Sequence, residues 1–120
     1  MMKKVFLAED DLTMVTLLKT LLKLEGFEVI PLNVADEGLL PILRKEIPEI
    51  LLLDVNLPNE NGMDIVREMR KESIFDGTKV VMASGLSLEN ECLGSGADDF
   101  LLKPYMPDDL IQILLKYIQY

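Results

Sequence analysis

Four aliphatic residues in succession, Ile50-Leu51-Leu52-Leu53, run directly into an aspartate, Asp54. A strand with one wet face alternates apolar and polar positions, whereas an unbroken apolar run needs cover on both faces. Cover on both faces is what a parallel sheet receives from the helices that connect its strands. The rest of the chain is punctuated to match. Val5-Phe6-Leu7-Ala8, Phe27 to Leu32, Lys79 to Ala83 and Phe100-Leu101-Leu102 supply four more short apolar segments. Between them lie longer stretches with helical periodicity. Leu12 to Glu25 puts Met14, Leu18, Leu21 and Leu22 on one face and stops at Gly26. Ala35 to Glu46 contains Gly38 and Pro41, which predict a short or kinked helix. Val55 to Asn61, with Pro58, predicts a loop, followed by helices over Gly62 to Glu72, Leu88 to Gly94 and Pro107 to Ile118. The last has the cleanest apolar face, formed by Leu110, Ile113, Leu114, Tyr117 and Ile118. Five strands alternating with five helices predict an α/β fold, a doubly wound five-stranded parallel sheet.

The chain has 120 residues, enough for one domain spanning 1–120. It contains no histidine, which excludes a His-based triad, imidazole metal ligands and a phosphohistidine carrier. A single cysteine, Cys92, permits no internal disulfide and no thiolate zinc site; it reads as an inert small residue. The seven methionines, among them Met63, Met69 and Met82, read as core filler. With 12 basic and 21 acidic residues the formal charge is −9, which argues against direct nucleic-acid binding by this domain. Lys3 and Lys4 precede an apolar run that ends at once in Glu9, Asp10 and Asp11, so no export signal is expected. No apolar stretch approaches the ~20 residues of a membrane-spanning helix, and a cytoplasmic protein is the expectation.

Open parallel sheets bind ligands beyond the carboxyl ends of their strands. Those ends carry Glu9-Asp10-Asp11, Asp54, Ser84 and Lys103-Pro104. Each alone has an ordinary explanation: an acid before a helix caps it, an aspartate starts a turn, a serine bonds loop backbone, a lysine is solvated. Their joint placement on one edge is what those explanations leave out. Gathered carboxylates repel one another unless a cation sits among them, and an oxygen-only site with retained waters suits Mg²⁺. A lysine and a serine opposite would receive phosphoryl oxygens, with Asp54 as the nucleophile. Neither G-x-x-x-x-G-K-[ST] nor G-x-G-x-x-G is present.

Glu9-Asp10, Leu53-Asp54-Val55-Asn56-Leu57-Pro58 through Gly62, Ala83-Ser84-Gly85 and Gly96-Ala97-Asp98-Asp99-Phe100-Leu101-Leu102-Lys103-Pro104 together resemble the receiver domain of two-component response regulators, over essentially the whole chain. The resemblance implies a flavodoxin-like three-layer sandwich with strand order 2-1-3-4-5. It implies that Asp54 accepts a phosphoryl group from a phosphohistidine on a sensor histidine kinase or histidine phosphotransfer protein. Glu9, Asp10, Asp54 and the backbone carbonyl of Asn56 would hold Mg²⁺, with Mn²⁺ able to substitute. Ser84 would turn toward the phosphoryl group, Lys103 would balance its charge, and Phe100 would move inward as the aromatic half of a switch. The Lys103–Pro104 peptide would be cis. The protein would signal to a C-terminal output domain or a downstream protein, as a monomer or a phosphorylation-dependent homodimer, catalysing nothing beyond its own phosphorylation and dephosphorylation.

Three positions and the length of one stretch depart from the family pattern. Glu9 replaces the more frequent Asp, Phe100 lacks a tyrosine hydroxyl, and Met106 stands where a capping Ser or Thr is common. The stretch from Ser84 to Lys103 is about three residues short, nearly one helical turn. Two alternatives compete: a receiver-like interaction module that does not use phosphate, and a Mg²⁺-dependent aspartyl-phosphate phosphatase. The second generally needs an acid two residues after its nucleophile, where this chain has Asn56.

Overall fold

The alternating side chains of the central strands divide the interior in two. Val5, Leu7, Ile50, Leu52, Val81 and Ala83 join one apolar cluster, and Phe6, Ala8, Leu51, Leu53, Val80 and Met82 join another. In this computed structural model, which describes residues 2–33 and 38–118, the five long strands form one parallel sheet. They are β1 (Lys3–Ala8), β2 (Phe27–Pro31), β3 (Ile50–Asp54), β6 (Lys79–Ser84) and β7 (Asp99–Leu102), in the order β2-β1-β3-β6-β7. In chain order that is 2-1-3-4-5, the doubly wound arrangement expected. The two short strands left over, β4 (Asn56–Leu57) and β5 (Glu60–Asn61), pair antiparallel as a hairpin within the segment predicted to be loop.

Helices α1 (Leu12–Leu24) and α5 (Pro107–Lys116) cover one face of the sheet through Val15, Leu18, Leu22, Leu110 and Leu114. Helices α2 (Leu40–Lys45), α3 (Gly62–Met69) and α4 (Glu89–Ser95) cover the other through Leu43, Ile65, Val66, Met69 and Cys92. On α1 the buried stripe is Val15, Leu18 and Leu22, with Met14 and Leu21 at its half-buried margin. The predicted start of the second helix, Ala35, lies among residues 34–37, outside the described residues. Gly38 takes φ +91°, and the helix starts at Leu40 with Pro41 in its first turn. The third ends at Met69 rather than Glu72 and is followed by a 3-10 turn, Ser73–Phe75, which buries Phe75. The fourth runs Glu89–Ser95, one residue beyond the predicted span, and Gly96 closes it with φ +117°.

Arg70, just past α3, ties that side together. Its guanidinium donates to the carbonyls of Gly96, Phe75 and Thr78 and to the Asp98 carboxylate, at 2.9–3.0 Å. Asp98 also accepts the Val80 N–H at 2.8 Å, so one ion pair joins α3, the α4–β7 turn and β6. No helix among the described residues is long and apolar enough to cross a membrane.

Candidate functional site

The register of the sheet decides which side chains meet. Val55 donates its N–H to Ala83 at 3.0 Å, and Lys103 donates its N–H to the Ser84 carbonyl at 2.8 Å. The ends of β3, β6 and β7 are thereby locked side by side, with the end of β1 next to β3. Asp54, the last residue of β3, is 8% exposed. Lys103 extends its ammonium across the edge and donates to Glu9 at 2.6 Å and to Asp54 at 3.2 Å. The side chains of Glu9 and Asp54 are 6% and 10% exposed, so this is a nearly enclosed two-to-one ion cluster.

One carboxylate oxygen from each of Glu9, Asp10 and Asp54 can be chosen so that the three lie within 4.8 Å of one another. Burial raises the Glu9 pKa above the ordinary carboxyl value, opposed by the hydrogen bonds from Lys103 and the Asp11 N–H and reinforced by the charge of Asp54. For Lys103, burial disfavours the charged form, but the Glu9 hydrogen bond and the two carboxylates outweigh it, and its pKa is raised. An all-oxygen donor set with carboxylates at this spacing fits a hard divalent cation such as Mg²⁺. Tyr105, two residues beyond Lys103, is half-buried, and loss of hydration pushes its pKa up to about 12.

The three neighbouring acids after β1 separate by role. Asp11 is the helix cap: its Oδ1 accepts from the N–H groups of Thr13 and Met14 at 3.0 and 3.2 Å. Glu9 turns to Lys103, and Asp10 remains exposed beside it. Ser84 is fully buried, and its Oγ accepts the Leu86 N–H at 3.0 Å. Phe100 is half-buried against the α2–α3–α4 side of the core. The Lys103–Pro104 peptide is cis. At the start of α5, where Met106 has no capping hydroxyl, Asp109 accepts the Met106 N–H at 3.3 Å and supplies part of the missing cap.

Gly62 closes the motif that carries the resemblance, whereas Glu60 carries no signal in the sequence pattern. Gly62 packs so closely that a Cβ would lie 2.5 Å from the Asp54 carbonyl oxygen and 2.9 Å from Met82 Cε. Glu60, in the hairpin, accepts the Leu39 N–H at 3.0 Å from across the structure.

The family model of the response regulator receiver domain matches residues 5–115. The transcriptional regulatory protein CpxR of Klebsiella pneumoniae is 37% identical over 113 residues, 92% of this chain and 47% of the relative. The DNA-binding response regulator MtrA of Mycobacterium tuberculosis is 31% identical over 114 residues, 92% of this chain and 48% of the relative. This chain thus spans about half the length of the curated relatives it matches. Among solved structures, a CheY-like response regulator receiver domain protein of Methanospirillum hungatei superposes with TM-score 0.82 at 31% identity, covering 97% of this chain and 93% of that one. The BeF3-activated N-terminal receiver domain of Klebsiella pneumoniae RstA gives TM-score 0.84 at 25% identity, covering 98% and 100%.

Proposed function

The chain belongs to the response regulator receiver domain family, and on that premise we propose that Asp54 is a phosphoacceptor served by Glu9, Asp10, Ser84 and Lys103. The observation that carries this reading is the enclosed cluster in which Lys103 bridges Glu9 and Asp54. Members of this family are signalling regulators rather than enzymes acting on a separate substrate.

In the proposed transfer, an Asp54 oxygen attacks the phosphorus of a phosphohistidine on a sensor histidine kinase or histidine phosphotransfer protein. The new bond is Asp54 O–P, the broken one is imidazole N–P, and the electron pair leaves with the imidazole nitrogen. Glu9, Asp10, Asp54 and the carbonyl of Asn56 would hold Mg²⁺, which supplies charge neutralisation at phosphoryl oxygens. Lys103 donates to one phosphoryl oxygen once it is released from Asp54, and Ser84 donates its hydroxyl to another. For Ser84 this means turning away from the Leu86 N–H that it now accepts. Phe100 then packs into the space left beside β6, and the change is a shift between two packings. The signal would pass to an output domain or a partner protein in the cytoplasm.

Incubation with acetyl phosphate and Mg²⁺ tests the reading by intact-mass spectrometry. One acid-stable, base-labile phosphoryl group is expected, and none in Asp54→Asn. Phosphorylation that survives Asp54→Asn, or that proceeds equally in EDTA, overturns it. A chain that stays unmodified while keeping its fold favours an interaction module without phosphate. With beryllofluoride and Mg²⁺, amide and aromatic NMR signals of Ser84 and Phe100 should shift; binding of the mimic without any change over residues 84–104 overturns the switch.

A further inference from the structure

The hairpin that follows Asp54 is held at both ends. At its base, Gly62 donates its N–H to the Val55 carbonyl at 2.7 Å, and Asn61 caps α3 by accepting the Met63 N–H at 2.8 Å. At its outer end stands Glu60, paired with Leu57 across the hairpin and next to Asn61, which opposes Asn56. None of the ion pairs among the described residues includes Glu60. A half-buried carboxylate without a cation is costly unless hydrogen bonds compensate it. Its Oε2 accepts the N–H of Leu39, the residue that caps α2 and has no side-chain cap of its own. Leu39 is fully buried, so this bond is anchored in the core. The approach is close: a Cβ on Gly38 would lie 3.0 Å from Glu60 Oε1. The Glu60 carboxylate thus closes onto the Gly38–Leu39 peptide and fastens the hairpin to the start of α2.

We propose that Glu60 is a positioning residue for the metal site: by latching the hairpin to Leu39, it fixes the backbone of Asn56, whose carbonyl would be a ligand in the reading above. The inference rests on that reading, because it needs the Asn56 carbonyl to be a ligand. A ligand carbonyl on a loose two-residue strand must be ordered when the metal binds, and that ordering lowers affinity. With the latch closed, the ordering is already done. Coupling of this kind is reciprocal, so Mg²⁺ at the acid cluster must tighten the Glu60–Leu39 bond by the same factor that the bond tightens Mg²⁺. The metal would therefore be felt at the start of α2, which contributes no ligand to it.

The test uses Mg²⁺ alone, titrated into the natural chain, Glu60→Ala and Glu60→Gln, followed by amide NMR shifts and by hydrogen exchange at Leu39. Leaving about one residue's backbone to be ordered on metal binding predicts Mg²⁺ affinity about tenfold weaker in Glu60→Ala. The glutamine variant keeps a carbonyl oxygen that can accept the Leu39 N–H but has no charge, so its affinity should stay near that of the natural chain. Saturating Mg²⁺ should slow Leu39 exchange in the natural chain and not in Glu60→Ala. If Glu60→Gln weakens Mg²⁺ as much as Glu60→Ala, the effect is one of charge and the latch is refuted. If Glu60→Ala binds Mg²⁺ as tightly as the natural chain, the latch is refuted while the metal site stands. If the natural chain shows no Mg²⁺ response, both fall together. Should Glu60→Ala fail to fold, the Leu39 exchange rates of the natural chain with and without Mg²⁺ decide alone, and equal rates overturn the proposal.

Discussion

Replacing Lys103 with methionine keeps the length and apolar stem of the side chain and deletes its charge. In the natural chain the ammonium lies 2.6 Å from Glu9 and 3.2 Å from Asp54, and all three side chains are at least three-quarters buried. At an effective dielectric of about 20, a unit charge about 3 Å from another is attracted by about 5 kcal/mol before desolvation is counted. Removing one member of such a buried pair costs about 3–5 kcal/mol, because its partners stay buried and uncompensated. Asp10 is exposed and the cluster opens at the sheet edge, so the lower figure applies: about 3 kcal/mol, or on the order of 10 °C in Tm. The loss should depend on pH. With Lys103 gone, the largest influence lowering the Glu9 pKa disappears, and burial and the Asp54 charge hold it above the ordinary value of 4.5. A carboxyl whose folded pKa exceeds its unfolded one favours the fold below the unfolded value and loses that contribution as pH rises. The deficit of Lys103→Met is therefore full at neutral pH and shrinks toward pH 4.5. Mg²⁺ should bind the variant more tightly, because it no longer competes with the ammonium for Glu9 and Asp54, and so restore part of the loss. Urea denaturation at neutral and acidic pH, with and without Mg²⁺, measures all three effects. An unchanged midpoint, or a deficit of equal size at both pH values, refutes the reasoning.

Three further substitutions probe the surrounding frame. Gly62→Ala sets a methyl 2.5 Å from the Asp54 carbonyl oxygen, a backbone atom that cannot swing aside; about 2 kcal/mol of stability and most of the phosphoryl acceptance at Asp54 should be lost together, as read by urea melts and intact mass. Arg70→Met removes four hydrogen bonds and should cost about 3 kcal/mol, with faster amide exchange around Gly96; an unaltered urea midpoint contradicts this. Burial, with the Asp99 hydrogen bond and charge, raises the Tyr117 pKa, and Tyr105 is raised to about 12. Both folded values lie above the ordinary 10.0, so stability holds below that pH and falls as pH climbs past it. Tyr117→Phe should flatten that alkaline decline while lowering neutral-pH stability by about 1 kcal/mol, measured by Tm against pH.

What the residues disclose in order along the chain depends on how many of them share the message. The Ile50–Leu53 run is apolar at every position, and that redundancy marks a doubly covered strand. The four polar strand ends were legible for a related reason: parallel strands bring their carboxyl ends to one edge whatever the loops do. Asp10 and Asp11 are not separable by composition, because either acid can cap the helix that follows, and the N–H groups of Thr13 and Met14, which donate to Asp11, assign the cap to it. The ion cluster joins residues 94 positions apart, beyond any local pattern. Hairpin strands of two residues are too short to display a period, so the sequence of β4 and β5 carries only loop signals. Arg70 and Glu60 bond mainly to backbone carbonyls and an N–H, groups that almost any residue type supplies, and so leave no trace in side-chain sequence.

The division of the interior into two clusters bears on how such a chain can change over generations. Leu18 and Leu110 share neighbours on one side of the sheet, Leu43 and Met69 on the other, and the strands stand between them. Substitutions without shared partners add, whereas those in contact modify each other's effects. A lineage can therefore rework the layer under α1 and α5 without renegotiating the layer under α2, α3 and α4. The surfaces on the two sides are free to drift at separate rates. The residues that both sides must agree on are the few at the strand ends, where Glu9, Asp54, Ser84 and Lys103 meet.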